Sequence, residues 1–374
     1  MPHPRYHRQM LLPDIGESGQ QRLAESHALL IGCGALGCGI ADLLVRAGVG
    51  TLTIVDRDVV ELTNLQRQSL FDERDARDAT PKAEAAAARL RRVNSLVRII
   101  PLVMDFSSAV AEDIFDSHHV SIHTPSTAPT PPVNVIVDGT DNFAARYLMN
   151  DLAVKRAIPF IYGGAVATGG MTMTILPRVS PCLRCVFPDS PGVGISMTCD
   201  TAGILGPVAA VVSAMQAAEA IKAMLGKTQH CSTHLVEIDL WANAHRRVNL
   251  ASARDPHCPC CVQHRFEFLD GLHESDASVI CTRIGGGAVQ IQPRRHCSQS
   301  PPAHRIDLAS IAQRLAPHGT FLATSHVLRG NLATTSPDES EPIELTIFAD
   351  GRAIIRGTME VGVAKAIYAR YVGE

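Results

Sequence analysis

This chain of 374 residues has few aromatic side chains, 4% of the total, with a single tryptophan. It has no surplus of charge of either sign: 34 Lys and Arg stand against 37 Asp and Glu, a net charge near −3. A near-neutral chain lacks the electrostatic footprint of a protein that binds nucleic acid or an anionic membrane surface, so neither partner is expected. No apolar run of spanning length is present either. The stretch 28–55 is broken by glycines, Asp42 and Arg46, and reads as strand, helix and strand rather than as a membrane span. The opening residues, "MPHPRYHRQM", contain no apolar core of a secretion signal. Eleven cysteines without such a signal point to a reducing cytoplasm, where paired cysteines serve metal or redox chemistry more often than structural disulfides.

What the sequence does contain is an alternation of strand and helix signals, which predicts an α/β fold with an open, mostly parallel, Rossmann-like sheet. "HALLIG" (27–32) and "TLTIVD" (51–56) read as buried parallel strands, with a helix over 35–47 between them. A second helix is expected near Pro81, with Thr80 as its N-cap and proline in the first helical position. Further strands fall at 97–106, at 133–142 and in "PFIYGG" (159–164). Residues 117–132 read as an exposed Pro/Ser/Thr-rich insertion, and 188–203 as a glycine-bearing mobile segment before an Ala-rich helix over 204–225. Residues 1–265 are expected to form the main domain and 266–374 a small α+β appendage. Within the appendage, 343–358 is a hairpin turning at Asp350-Gly351 and is followed by a closing helix.

The first chemical feature is "IGCGALGCG" (31–39). Gly32 permits a tight turn, Gly34 lets a phosphate approach the backbone, and Gly37 lets the helix pack closely on the sheet. Asp56 ends the next strand, where a carboxylate can hold ribose hydroxyls. A nucleotide is indicated, but the loop alone names none, and a structural glycine turn is the bland alternative. The following "DRDVVELTNLQRQSLF" carries Asp58, Asn64, Arg67 and Gln68, an Arg–Gln pair that suits a nucleoside triphosphate better than a nicotinamide dinucleotide. A solvated polar loop would also explain it. Lys82 lies in the first turn of a helix, where the dipole makes a cation unfavourable by a few tenths of a kcal/mol. A bound phosphate would reverse that sign. Asp141, in "DGTDN", suits either a magnesium ligand or the cap of the next helix.

The CxxC pairs Cys182/Cys185 and Cys258/Cys261 can supply four thiolates for a tetrahedral structural zinc, although their separation is far longer than that of a zinc ribbon. Free or redox-active thiols are the other reading. Cys199, in "TCDTAG", stands alone near a helix start and reads on spacing as a bystander thiol.

Residues 5–262 resemble the ThiF/MoeB branch of the ubiquitin-activating superfamily. The resemblance is carried by "RYHRQMLLPDIGESGQQRL", "IGCGALGCG", "VDRDVVELTNLQRQ", "PKAEAA", "DGTDNFAARYLMND", "PCLRC", "TCDTAGILGP" and "HCPCC". It implies adenylation of the C-terminal glycine of a ubiquitin-like sulfur carrier, with ThiS favoured over MoaD, and thus a role in thiamine or molybdopterin biosynthesis. It further implies that Gly32, Gly34 and Gly37 line the phosphates of ATP and that Asp56 holds the ribose. Asn64, Arg67, Gln68 and Lys82 would contact phosphates, Asp58 would belong to the same site, and Asp141 would bind Mg²⁺. Arg8 would reach the ATP of a partner subunit, which implies a homodimer. Cys182, Cys185, Cys258 and Cys261 would hold Zn²⁺, and Cys199 would bond to the carrier's sulfur, with a sulfur-donor protein as a further partner. Two competing readings are an NAD-dependent oxidoreductase using the same glycine loop and a non-catalytic adaptor.

Overall fold

The computed structural model describes residues 4–116, 130–189, 202–273, 277–282, 286–291, 306–324, 327–333 and 343–373. They fall into two compact units, Met1–His273 and Glu274–Glu374. The boundary thus lies at 273 rather than at the 265 expected from the sequence. Residues 266–273 pack into the first unit: Phe268 stacks on Tyr147 at 4.8 Å, and its backbone N–H donates to Asp151 Oδ2 at 2.9 Å.

The first unit is built on an eight-stranded sheet. Its strands β1 His27–Ile31, β2 Thr51–Val55, β3 Arg98–Leu102, β4 Val135–Asp138 and β5 Phe160–Val166 run parallel in the order 3-2-1-4-5. Strands β6 Gly169–Ile175, β7 His234–Asp239 and β8 Ala244–Asn249 extend it antiparallel beyond β5. Alternate side chains of each strand point to opposite faces, and both faces of the parallel part are apolar. Ala28 and Leu30 meet the helices Ala35–Ala47, Lys82–Val93 and Gly206–Met224. Leu29 and Ile31 meet the helices Ser108–Phe115 and Phe143–Arg156 together with the cysteine-bearing segments.

Most helix limits follow from local chemistry. Helix Ala35–Ala47 buries Leu36, Ile40, Leu44 and Val45 on one face and stops at Gly48, whose φ of +87° favours glycine. Helix Gly206–Met224 has proline in its first turn and is followed by Gly226 at φ +72°. The helix after Pro81 starts at Lys82, and Thr80 does not cap it. The reason is a competing backbone contact: Val59 and Pro81 form a β-bridge, and the Thr80 carbonyl accepts the Val60 N–H at 2.9 Å. The hairpin β7–β8 ends in an exposed turn, with Trp241 78% exposed, and every residue of β8 is exposed. The 117–132 insertion falls outside the described residues through 129, as does 190–201 of the segment before the long helix.

The second unit is a six-stranded antiparallel sheet in the order β11-β12-β13-β14-β10-β9. The strands are β9 Ala277–Thr282, β10 Gly286–Ile291, β11 Gly319–Ala323, β12 Val327–Leu332, β13 Glu344–Phe348 and β14 Ala353–Arg356. Helices Leu308–Leu315 and Val361–Tyr371 share one core with it. The β13–β14 turn sits at Asp350-Gly351, with Gly351 at φ +90° and Asp350 Oδ1 accepting the Arg352 N–H at 3.0 Å. No helix among the described residues is long and apolar enough to cross a membrane.

His27 sets a pH limit on the first unit. It is fully buried at the start of β1, with Nδ1 donating to the Pro131 carbonyl at 2.8 Å and Nε2 accepting from the Thr53 hydroxyl at 2.8 Å. Burial pushes it down to about 4, below its usual value of 6.5. Between those values the unfolded chain binds the proton and the folded chain does not, so stability is full above pH 6.5 and falls as the pH drops toward 4. The expected loss is roughly 3 kcal/mol. Urea denaturation at pH 7 and at pH 4.5 measures it, and His27→Gln should flatten this acid limb.

Candidate functional site

The parallel strand order reverses between β1 and β4, and in such sheets ligands bind in the crevice at the carboxyl ends of the strands on either side of that point. Here the crevice is made by backbone contact. Gly32 follows β1 at φ +86°, and a Cβ on it would lie 2.7 Å from the Gly139 carbonyl. A Cβ on Gly37 or on Gly139 would overlap the Gly32 carbonyl oxygen. Gly34 differs from them: a Cβ there would meet nothing nearer than Gln68 Nε2 at 3.8 Å. It therefore faces room for a ligand at the start of helix Ala35–Ala47, where unpaired N–H groups favour an anion. The Gln68 carboxamide beside it is buried, and its Oε1 has no hydrogen-bond partner among the described residues.

Charged groups surround this room. Asp56 ends β2, is buried, and accepts the Cys33 N–H at 2.6 Å and the Asp58 N–H at 2.7 Å. Burial pushes its carboxyl up, and Lys82 pulls it back. Lys82 is buried in the first turn of its helix and donates to Asp58 Oδ2 at 3.1 Å. Burial disfavours its charge, but Asp58, Asp56 and Asp141 outweigh that and hold the ammonium above its ordinary value. Arg57, which sequence reasoning passed over, pairs with Asp105 at 3.1 Å and feels the charges of Asp58, Asp56 and Asp141. Asn64 is buried, and its Oδ1 closes the turn on the Glu61 N–H at 2.9 Å. The Arg67 guanidinium donates to the Thr63 carbonyl at 3.0 Å, and the Arg67 Cβ lies 3.8 Å from where a Cβ on Gly206 would sit, at the start of helix Gly206–Met224.

Asp141 and Arg8 need separate treatment. The cap of helix Phe143–Arg156 is Asn142, whose Oδ1 accepts the Ala144 N–H at 2.9 Å. The capping alternative for Asp141 therefore falls, and its carboxylate is exposed. Arg8 is exposed on a segment anchored far from the glycine loop. Gln9 Nε2 donates to the Ala47 carbonyl at 3.0 Å, and Tyr6 Oη accepts from Asn94 at 2.8 Å. Ala47 ends the 13-residue helix whose first turn adjoins Gly34, so about 20 Å of helix separates the anchor from the loop. Within one chain Arg8 does not reach it. Cys199 lies outside the described residues.

The four CxxC thiols converge, all within 4.8 Å of one another. The Sγ separations are 3.9 Å for Cys182–Cys185, 3.6 Å for Cys182–Cys258 and 3.4 Å for Cys185–Cys261. A tetrahedral zinc with Zn–S near 2.3 Å sets its sulfurs about 3.8 Å apart, whereas a disulfide needs about 2 Å. The donor set and its spacing therefore fit zinc.

The family model described as "ThiF family" matches residues 6–260. The chain belongs to that family. Among curated proteins, the sulfur carrier protein ThiS adenylyltransferase of Bacillus subtilis (strain 168) is 40% identical over 99% of this chain and 99% of its own length. The sulfur carrier protein adenylyltransferase of Thermus thermophilus is 36% identical over 69% of this chain and 90% of its own length. The Sus scrofa adenylyltransferase and sulfurtransferase MOCS3 is 37% identical over 69% of this chain and 52% of its own length. Among solved structures, E. coli MccB matches with a TM-score of 0.55 at 23% identity, over 69% of this chain and 72% of MccB, a likeness of fold.

This ThiF-family site also holds residues that sequence reasoning missed. Asp138 and Arg146 form an ion pair at 3.0 Å beneath the crevice, and Gln216 Nε2 donates to the Asp138 carbonyl at 2.7 Å. Asn150 donates to Cys260 Sγ at 3.2 Å and accepts the Leu183 N–H at 2.8 Å, tying helix Phe143–Arg156 to the cysteine cluster. An arginine eight residues after a strand-terminal aspartate was the available signal for the ion pair. Nothing in the sequence marks either as buried.

Purified protein is expected to carry one zinc per chain by mass spectrometry of the metal. Cys258→Ser should lose it and lower the melting temperature on the order of 10 °C. Full stability in a metal-free chain would contradict this.

Proposed function

We propose that this chain transfers AMP from ATP to the C-terminal glycine carboxylate of a ubiquitin-like sulfur-carrier protein in the cytoplasm. A ThiS-type carrier is the first choice and a MoaD-type carrier the second. The observation that carries the reading is Lys82, a buried ammonium at the start of a helix, beside a glycine cradle and a buried carboxylate. Hydride transfer on a nicotinamide has no use for that cation, whereas transfer between phosphates does. The preference for ThiS rests on the Bacillus subtilis relative, whose likeness includes the second unit.

In this reading the backbone at Gly32, Gly34 and Gly37 lines the phosphates and Asp56 accepts from the ribose hydroxyls. Asn64, Arg67, Gln68 and Lys82 contact phosphate oxygens, with Asp58 keeping Lys82 charged and aimed. Asp141, released from capping, would hold Mg²⁺, which when bound neutralises charge on the phosphates. The carrier's carboxylate attacks the α-phosphorus, a C–O–P bond forms, and the bond from the α-phosphorus to the bridging oxygen breaks as pyrophosphate leaves. The carboxylate is already ionised at neutral pH, so the chain need supply no base. Its work is alignment and charge neutralisation. A persulfide on a donor protein would displace AMP from the acyl-adenylate, and the Cys199 thiolate would then bond to the carrier's sulfur as the donor's thiolate leaves.

Carrier-dependent exchange of labelled pyrophosphate into ATP tests the reading, with each carrier type in turn. Arg67→Ala should lower exchange about 100-fold with the fold retained. NAD binding without ATP binding would overturn it, and carrier binding without exchange would leave an adaptor.

The distance between the Arg8 anchor and the loop supports a homodimer in which each chain completes the other's site. Arg8→Ala and Lys82→Ala variants should each be inactive alone. Co-expressed, they should recover roughly a quarter of wild-type exchange, because half the dimers then carry one intact site. No recovery in a confirmed mixed dimer would argue against transfer of Arg8 between subunits.

A further inference from the structure

The chain places a fully buried ion pair under the crevice, and its hydrogen bonds converge on one short loop. Arg146 Nε donates to Asp138 Oδ2 at 3.0 Å. Its other arm donates to the Thr140 carbonyl at 2.8 Å and to the Gly163 carbonyl at 3.0 Å. Asp138 Oδ1 accepts from both the Thr140 N–H, at 2.8 Å, and the Thr140 hydroxyl, at 2.7 Å. The guanidinium also lies over the rings of Phe143 and Tyr162, at 5.1 and 5.3 Å. Thr140 is therefore held at its N–H, hydroxyl and carbonyl, while Asn142 is fixed as a helix cap. Asp141 stands between two immobilised residues.

A buried ion pair is weak as a device for stability alone, because desolvation offsets its attraction. What this pair does locally is fix the backbone on one side of Asp141 to β4 and β5 at once. We infer that Arg146, acting through Asp138 and Thr140, is the positioning residue that aims the Asp141 carboxylate at the metal of the nucleotide site. The inference rests on the proposed role of Asp141 in holding Mg²⁺. A lysine cannot substitute for the forked guanidinium, since a single ammonium nitrogen cannot keep the planar three-acceptor geometry. Close ligand geometry is what a metal carboxylate requires of its supporting groups.

The test uses the full chain and Mn²⁺ as the probe, with electron paramagnetic resonance reading Mn²⁺ bound in the presence of a non-hydrolysable ATP analogue. Arg146→Lys should weaken Mn²⁺ at least tenfold and raise the Mg²⁺ concentration for half-maximal exchange by a similar factor. The KM for ATP at saturating Mg²⁺ should stay within threefold, and the melting temperature within a few degrees. Asp138→Asn, which keeps size and shape, serves if the lysine variant does not fold, with the same shift expected. Asp141→Asn is the reference. If it loses the Mn²⁺ site while folded Arg146→Lys or Asp138→Asn keeps full affinity, the positioning role is overturned and the metal role of Asp141 stands. If Asp141→Asn keeps full Mn²⁺ affinity, the role of Asp141 falls and the inference with it.

Discussion

Everything in the first unit is arranged around a contact between backbones at the carboxyl ends of β1 and β4. Gly32, Gly37 and Gly139 approach so closely that no Cβ fits between them. The contact draws the first turn of helix Ala35–Ala47 onto the sheet and leaves Gly34 facing the resulting opening. It also fixes where the neighbouring groups can sit. Asp56 reaches across from β2 to the Cys33 N–H, and the loop after β4 is pressed against the turn after β1. A crevice made by omitted side chains is rigid, because moving either backbone would open a void or force an overlap.

Charge in the crevice follows from that rigidity. Asp56 is buried, and its ionised form is supported by two backbone N–H groups and by Lys82. Lys82 keeps its proton because carboxylates on the β2 side and Asp141 on the β4 side act on it together. On the opposite face of the sheet, helix Phe143–Arg156 links two distant features. Its start carries the Asn142 cap and Arg146, and its later turns carry Asn150, which binds Cys260 Sγ and the Leu183 N–H, and Asp151, which accepts the Phe268 N–H. One helix thus joins the glycine-lined crevice to the four-cysteine cluster.

Much of this was legible in the sequence, for identifiable reasons. Local signals located the parallel strands, the helix over 35–47, the Asp350-Gly351 turn and the two CxxC pairs, since each depends on residues near in the chain. Thr80 was misread because a long-range bridge between Val59 and Pro81 displaced the helix start, and no local preference records such a bridge. The cap of helix Phe143–Arg156 could not be assigned to Asp141 or Asn142 from composition, as both residue types cap well. Asp138, Arg146 and Gln216 were not singled out because their importance comes from being buried together, and strands β4 and β5 must assemble with helices Phe143–Arg156 and Gly206–Met224 before that holds. Residues 266–273 were placed with the appendage because nothing local shows Phe268 stacking on Tyr147.

The hairpin β7–β8 has an optical consequence. It carries the chain's single tryptophan, Trp241, at an exposed turn. In most globular proteins an indole is largely buried, and its emission tracks collapse of the core. Here the indole is already wetted in the native state, so its emission maximum barely moves when either core melts. It is instead a natural beacon for whatever covers the outer edge of the sheet.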